Sequence, residues 1–282
     1  MPEPRRPARW IGSAANVALV VALLAAVSFL PPDTALSEVR ESGVLRACVP
    51  VDYPPLAMPD PDRPGIEIEL LEDLAAEMGL RLLLTPNPAM GRDLNPRNWR
   101  LTRAQCQIVA GGVVASAETR SYLETTVPHL EVGWAILDTG GNDLSGARVG
   151  VFPGLSGFDR VALGRLLRGA GAEVVVVNDR AELQAGLAGG DFVFAVTESL
   201  AARQIAADTG LRVRWLSDGF DRLPIAFGLW KGELTLKRAV NRALEQMQSS
   251  GRTDAILADY ALAEIDATFL VSEIDNSALT GE

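Results

Sequence analysis

The chain has 282 residues, of which 48% are hydrophobic and 22% charged, a globular composition that excludes a disordered protein. Its 36 acidic against 26 basic residues give a net charge of −10, without the basic face that a nucleic-acid partner requires. One histidine and two cysteines exclude a His-rich metal centre or a cysteine zinc site, and no cofactor is implied.

Arg5, Arg6 and Arg9 precede an apolar run over 11–30, which ends at Pro31-Pro32. A basic head before an apolar stretch that has no polar face is an export signal rather than a core helix. The run approaches the roughly 20 residues that cross a bilayer, and no clean A-x-A site follows it. Two readings of 1–35 stand: a cleaved signal peptide, or an uncleaved anchor. The arginines hold the N-terminus inside, so either reading exports the rest of the chain. The body is expected in the periplasm, with membrane contact only through this segment.

The apolar run 44–49 fits a buried strand, ended by Asp52-Tyr53-Pro54-Pro55, a stiff loop. Residues 65–79 read as a helix, with Ile68, Leu71, Leu74, Ala75 and Met78 at helical spacing and Gly79 as its stop. A strand at 81–85, a proline-bearing loop and a strand at 107–114 carrying Gly111-Gly112 follow. A short helix is expected at 118–124 and a strand at 134–137. At Gly140-Gly141-Asn142-Asp143 the pattern restarts. Strands are expected at 147–152, 173–177 and 192–196, and helices at 158–168, 180–188 and 200–207. Alternating strands and helices predict an α/β fold with a mostly parallel sheet flanked by helices. One more strand covers 224–230. Residues 234–249 form an amphipathic helix with Leu236, Val240, Leu244 and Met247 on one face. A helix at 251–260 and a peripheral tail from 264 close the chain.

Four stretches in this order resemble the family 3 extracellular solute-binding proteins, the periplasmic receptors of amino-acid uptake systems. They are Val44-Leu45-Arg46 with Asp52-Tyr53-Pro54-Pro55-Leu56, then Gly65-Ile66-Glu67-Ile68-Glu69-Leu70, then Ala147-Arg148-Val149-Gly150-Val151 with Gly154-Leu155-Ser156-Gly157, and finally 225–260. The resemblance implies the two-lobed type II periplasmic-binding-protein fold, with a two-strand hinge and a ligand between the lobes. Lobe one is then 43–135 plus 225–262, lobe two 139–222, and 263–282 a tail.

The same resemblance implies the ligand-binding set. Tyr53 stands where the family sets an aromatic ring against the ligand, and Gly112 on the strand 107–114 joins the set. Arg120 stands near the arginine that grips the ligand carboxylate, a task that suits a planar guanidinium. It is one residue closer to Pro128 than the family pattern, about 100° of helical rotation, so a solvent-facing arginine is the alternative. Ser156 and Gly157 open a helix whose free amides attract anions, or Ser156 or Asp159 is a plain N-cap. Val196 replaces the family's amino-group-binding aspartate, leaving Thr197 and Glu198 as substitutes. Cys48 and Cys106 fall on neighbouring strands of that fold and are expected to form a disulfide, with two free thiols as the alternative. His129 is read as a rim or packing residue rather than a catalytic base.

Three functions follow. The first is a monomeric, non-enzymatic receptor that captures a small polar solute, an amino acid or other carboxylate, and delivers it to an inner-membrane ABC permease or a sensor. The second is a binding-protein-like accessory partner of a periplasmic quinoprotein oxidoreductase, which the cysteine pair and Thr125-Thr126-Val127-Pro128 resemble. The third is a dehydratase-like enzyme working through Glu198 or His129.

Overall fold

The computed structural model describes residues 16–23, 25, 33–90, 96–138, 140–141, 143–154, 158–216, 220–265 and 268–269. Met1–Thr34 forms one compact unit and Ala35–Glu282 another. In the first, residues 16–23 are helical, with Val17, Leu19 and Leu23 well exposed. Most of the expected export segment lies outside the described residues. Among the described residues no helix is long and apolar enough to cross a membrane.

The second unit opens with α1 (Ala35–Ser42), β1 (Val44–Pro50), α2 (Ile66–Glu77), β2 (Arg81–Asn87) and β3 (Ile108–Val109). Then come α3 (Thr119–Tyr122), β4 (Leu123–Thr125), β5 (Leu130–Val132), β6 (Trp134–Asp138), β7 (Arg148–Val151), α4 (Arg160–Gly169) and β8 (Glu173–Val176). Next are α5 (Arg180–Gly189), β9 (Phe194–Glu198), α6 (Ser199–Thr209), β10 (Arg212–Leu216), β11 (Leu223–Ile225) and β12 (Gly228–Trp230). The last elements are α7 (Leu234–Ser249), α8 (Arg252–Asp259) and β13 (Thr268–Phe269).

These strands make two mixed sheets. The first has the order β2-β1-β3-β12-β4 and the second β13-β10-β6-β9-β7-β8. In the first, β1 runs parallel to β2 and β3; in the second, β7 runs parallel to β8 and β9. Both β1 and β9 are buried along most of their length, as parallel strands covered on two faces must be. The chain leaves the first sheet through β5 and returns through β11. These two strands pair antiparallel, Leu130 opposite Ile225 and Val132 opposite Leu223. This pair is the two-strand connection that the resemblance implied.

Several expectations shift. The strand 107–114 is broken: it pairs as β3 over Ile108–Val109 and again at Val114, opposite Ile225, because Gly111 and Gly112 take positive φ (105° and 81°) and turn the backbone off the ladder between them. A side chain at Gly111 would also strike the Pro50 ring. The single strand at 224–230 divides into β11 and β12 where the chain passes from the connection into the sheet. Strand β6, straddling the expected lobe boundary, lies wholly in the second sheet between β9 and β10. The tail read as peripheral supplies β13 to that sheet, with Phe269 opposite Leu216. Phe269 is 2% exposed, and the Arg214 guanidinium sits 4.4 Å from its ring centroid. No hydropathy period marks two residues joined by pairing rather than by an amphipathic face.

Helix α7 buries Leu236, Val240, Leu244 and Met247, the expected apolar face, together with Ala239 and Ala243. Beside the first sheet, Cys48 and Cys106 form a disulfide, Cα–Cα 5.5 Å. The β1–β3 pairing, Cys48 opposite Val109, brings the two cysteines together. Met90 and Trp99 pack with the bridge in a satellite cluster, so it fastens the loop after β2 onto the sheet. Cys48→Ser is expected to lower the unfolding free energy by roughly 2–4 kcal/mol, since the bridge closes a long loop. Denaturant unfolding of oxidised wild type and variant checks this.

Candidate functional site

Parallel strands expose their carboxyl ends on one side, and open α/β sheets bind ligands there. Here the ends of β1, β2, β7 and β8 open onto one pocket of 770 Å³. Its walls are Val51–Pro54, Pro88 and Met90 from the first sheet. Phe152, Asn178, Asp179, Arg180, Ala181 and Ala201 line the opposing side, from the second sheet's loops and helix starts. The pocket is therefore a cleft between the two lobes.

Tyr53 ends the strand-to-loop turn. Its backbone N–H donates to Ala57 O (2.7 Å) and its carbonyl accepts from Ala57 N (3.0 Å), around a cis Pro54–Pro55 bond. The side chain is 6% exposed, and its hydroxyl is buried with no hydrogen-bond partner among the described residues. Burial first, then the Glu198 charge, raises its phenol well above the ordinary tyrosine value. Across the cleft, Gly154 takes φ +63°. A methyl group there would lie 2.9 Å from Glu198 Cγ and 3.2 Å from the Tyr53 hydroxyl. Tyr53, Gly154 and Glu198 thus meet at the seam between the lobes.

Glu198 is fully buried at the end of β9. Its two carboxylate oxygens accept the Leu200 and Ala201 amides, both at 2.7 Å, so it caps α6. Burial nevertheless pushes its carboxyl up to about 7, against the downward pull of those amides and of Arg180 and Arg203. Thr197 is also fully buried, and its Oγ1 has no partner among the described residues. A buried hydroxyl without a partner costs free energy that a ligand atom would recover.

The other expected residues are placed differently. Gly112 N donates to Glu67 Oε2 at 2.8 Å, and Gly111 N donates to the same oxygen. The Gly112 amide is thereby already committed. Arg120 is exposed on α3, and its Nε donates to Thr125 Oγ1 at 3.3 Å. Ser156 and Gly157 lie outside the described residues. His129 is a packing residue rather than a rim residue. It is 6% exposed, its Nε2 lies 2.8 Å from Glu67 Oε1, and its ring sits 4.4 Å from that of Phe227.

Two residues of weight escaped sequence reading. Glu67 appears there only as part of a motif, yet it is 0% exposed in the first turn of α2. The one available signal is an acidic residue between Ile66 and Ile68 at a helix start. Arg180 reads as a helix start. In the structure it follows the N-cap Asp179, lines the cleft, and buries Nη1 without a partner among the described residues.

The family model for bacterial extracellular solute-binding proteins, family 3, matches residues 45–263. The L-cystine-binding protein TcyJ of Escherichia coli (strain K12) is 26% identical over 250 residues, 84% of this chain and 91% of the relative. Among solved structures, an ancestral cationic amino acid solute-binding protein superposes with a TM-score of 0.64 at 22% identity, covering 80% of this chain and 98% of the other. A Streptococcus pneumoniae ABC uptake transporter substrate-binding protein with bound histidine gives 0.65 at 18% identity, covering 81% and 96%. These structural likenesses show the shared fold.

Two outcomes are expected. A carboxyl raised in the folded state binds its proton more tightly there than in the unfolded chain. The Glu198 contribution is therefore fully present below about 4.5 and is lost as pH rises to about 7. The loss is about 3 kcal/mol, and the stability gap between wild type and Glu198→Gln should shift by that much across the window in urea titrations. Glu67→Ala strips the acceptor from two amides and His129, and should cost roughly 3–5 kcal/mol in the same assay.

Proposed function

The chain belongs to the bacterial extracellular solute-binding proteins of family 3, and we propose that its cleft captures a small amino acid and presents it to an ABC-type permease. The observation that carries this reading is the cleft itself. It opens at the strand ends of both lobes and holds buried polar groups, Tyr53 Oη and Arg180 Nη1, with no partner among the described residues. Such groups are what a polar solute needs on entering a pocket.

The relatives point to the solute class. The curated relative is named for L-cystine, and the structural neighbours for cationic amino acids and histidine. The chain acts as a receptor and not as a catalyst. Glu198 holds two backbone amides and His129 holds Glu67, so each already has a structural task. The β5–β11 connection is the hinge, and closure of the lobes about it completes the ligand shell. The apolar N-terminal segment delivers the body across the membrane, and the protein works there as a monomer.

A thermal-shift panel of L-amino acids, their carboxamides, small carboxylates and polyamines tests the reading. A true ligand at about 100 times its Kd adds roughly 2.7 kcal/mol to stability. A well-folded protein that no amino acid stabilises would remove the proposal. Tyr53→Phe should leave the melting temperature of the free protein unchanged or raised, because the hydroxyl has no partner to lose. The same change should weaken the amino-acid hit by about tenfold, the worth of one buried hydrogen bond.

A further inference from the structure

We propose that Arg180, at the start of α5 in the second lobe, is the residue that grips the solute's carboxylate, and that Arg120 is not. The inference rests on the amino-acid reading of the cleft given above.

Arg180 is the one cationic residue among the described residues that line the cleft. Its Nη1 is buried and has no hydrogen-bond partner among the described residues. A guanidinium is a planar fork whose donors fit the two oxygens of a carboxylate, so an unmet buried arm is a site for that group. The buried Tyr53 hydroxyl, equally without a partner, lines the same pocket from the first lobe. A carboxylate between them would satisfy a donor from each lobe and so favour the closed form.

Among the described residues, the other expected donors are committed elsewhere. Arg120 is exposed and turned to Thr125, and the Gly112 amide serves Glu67. The α6 amides that could hold an anion serve Glu198. The sign of the remaining wall narrows the solute. Asp52 and Asp179 line the cleft beside Arg180, and Asp179 keeps one oxygen on the Glu182 amide. One cation and two carboxylates among the described lining residues, with Glu198 buried behind Arg180, suit a zwitterion with its carboxylate at Arg180 and its ammonium toward the acidic pair. A simple dicarboxylate would be repelled.

Calorimetric titration tests this with the tightest amino acid of the panel and its carboxamide, beginning with L-arginine and L-argininamide. Wild type is expected to bind the acid about 10- to 100-fold more tightly than the amide, the range for a charge-assisted hydrogen bond. In Arg180→Gln that discrimination should fall below about threefold, and in Arg120→Gln it should persist. Discrimination that survives in Arg180→Gln, or disappears in Arg120→Gln, overturns the assignment. If Arg180→Gln does not fold, Arg180→Lys carries the test, because it keeps the charge and loses the fork. Discrimination as large as in wild type would then overturn it. Failure of wild type to bind any amino acid defeats the functional reading and this inference together. Failure of the variants alone defeats only the inference.

Discussion

The carboxylate of Glu67 is the contact on which the rest of the structure depends. It is fully buried, yet it reaches three separate segments: its own helix α2, the Gly111-Gly112 turn after β3, and His129 just before β5. A buried carboxylate is tolerated only when its oxygens are fully engaged. Here two amides share one oxygen and the imidazole meets the other. The positive-φ glycines make that possible, since the turn must aim two successive N–H groups at one point. One side chain thus ties the turn after β3 to the root of the interlobe connection. Any solute that closes the lobes works against a frame whose geometry Glu67 sets.

The cleft follows from the way its hydrogen bonds are distributed. Strand ends and helix starts offer many donors, and most are satisfied internally: Glu67 takes one turn, Glu198 the start of α6, and Asp179 the Glu182 amide. Internal satisfaction stiffens the walls and lowers the ordering cost of binding. Among the described residues lining the cleft, what remains unmet is the Tyr53 hydroxyl and one arm of Arg180. Binding energy can be directed only where the protein has not already supplied a partner.

Connectivity decides how the lobes are joined. The β5–β11 pair makes the two crossings expected of this family. The chain then returns a third time, from α8 against the first lobe to β13 in the second sheet. Arg212 and Arg214 both hold Asp138, and Arg214 also covers Phe269, so the return strand is anchored by charge and by aromatic contact. This third pass runs beside the connection, where Leu262 lines one pocket with Leu130 and Glu131 of β5.

The sequence by itself determined the layered α/β class, the two serial units and the elements with a strong period. Helices α2 and α7 were legible because a face of Ile and Leu repeats every three or four residues and must be buried. The stiff proline turn at Tyr53 was legible locally, whereas its place in the cleft was legible only through the family resemblance. Tertiary structure alone decided where β6 and β13 pair, because a strand of a few residues carries no period and finds its place through partners distant in sequence. It also decided which charged groups are free. Glu67, Arg120, Arg180 and Glu198 are alike as letters, and only the folded chain brings an amide to one and leaves another without a partner. Hydropathy is written residue by residue, whereas hydrogen-bond satisfaction belongs to pairs, and the fold chooses the pairs.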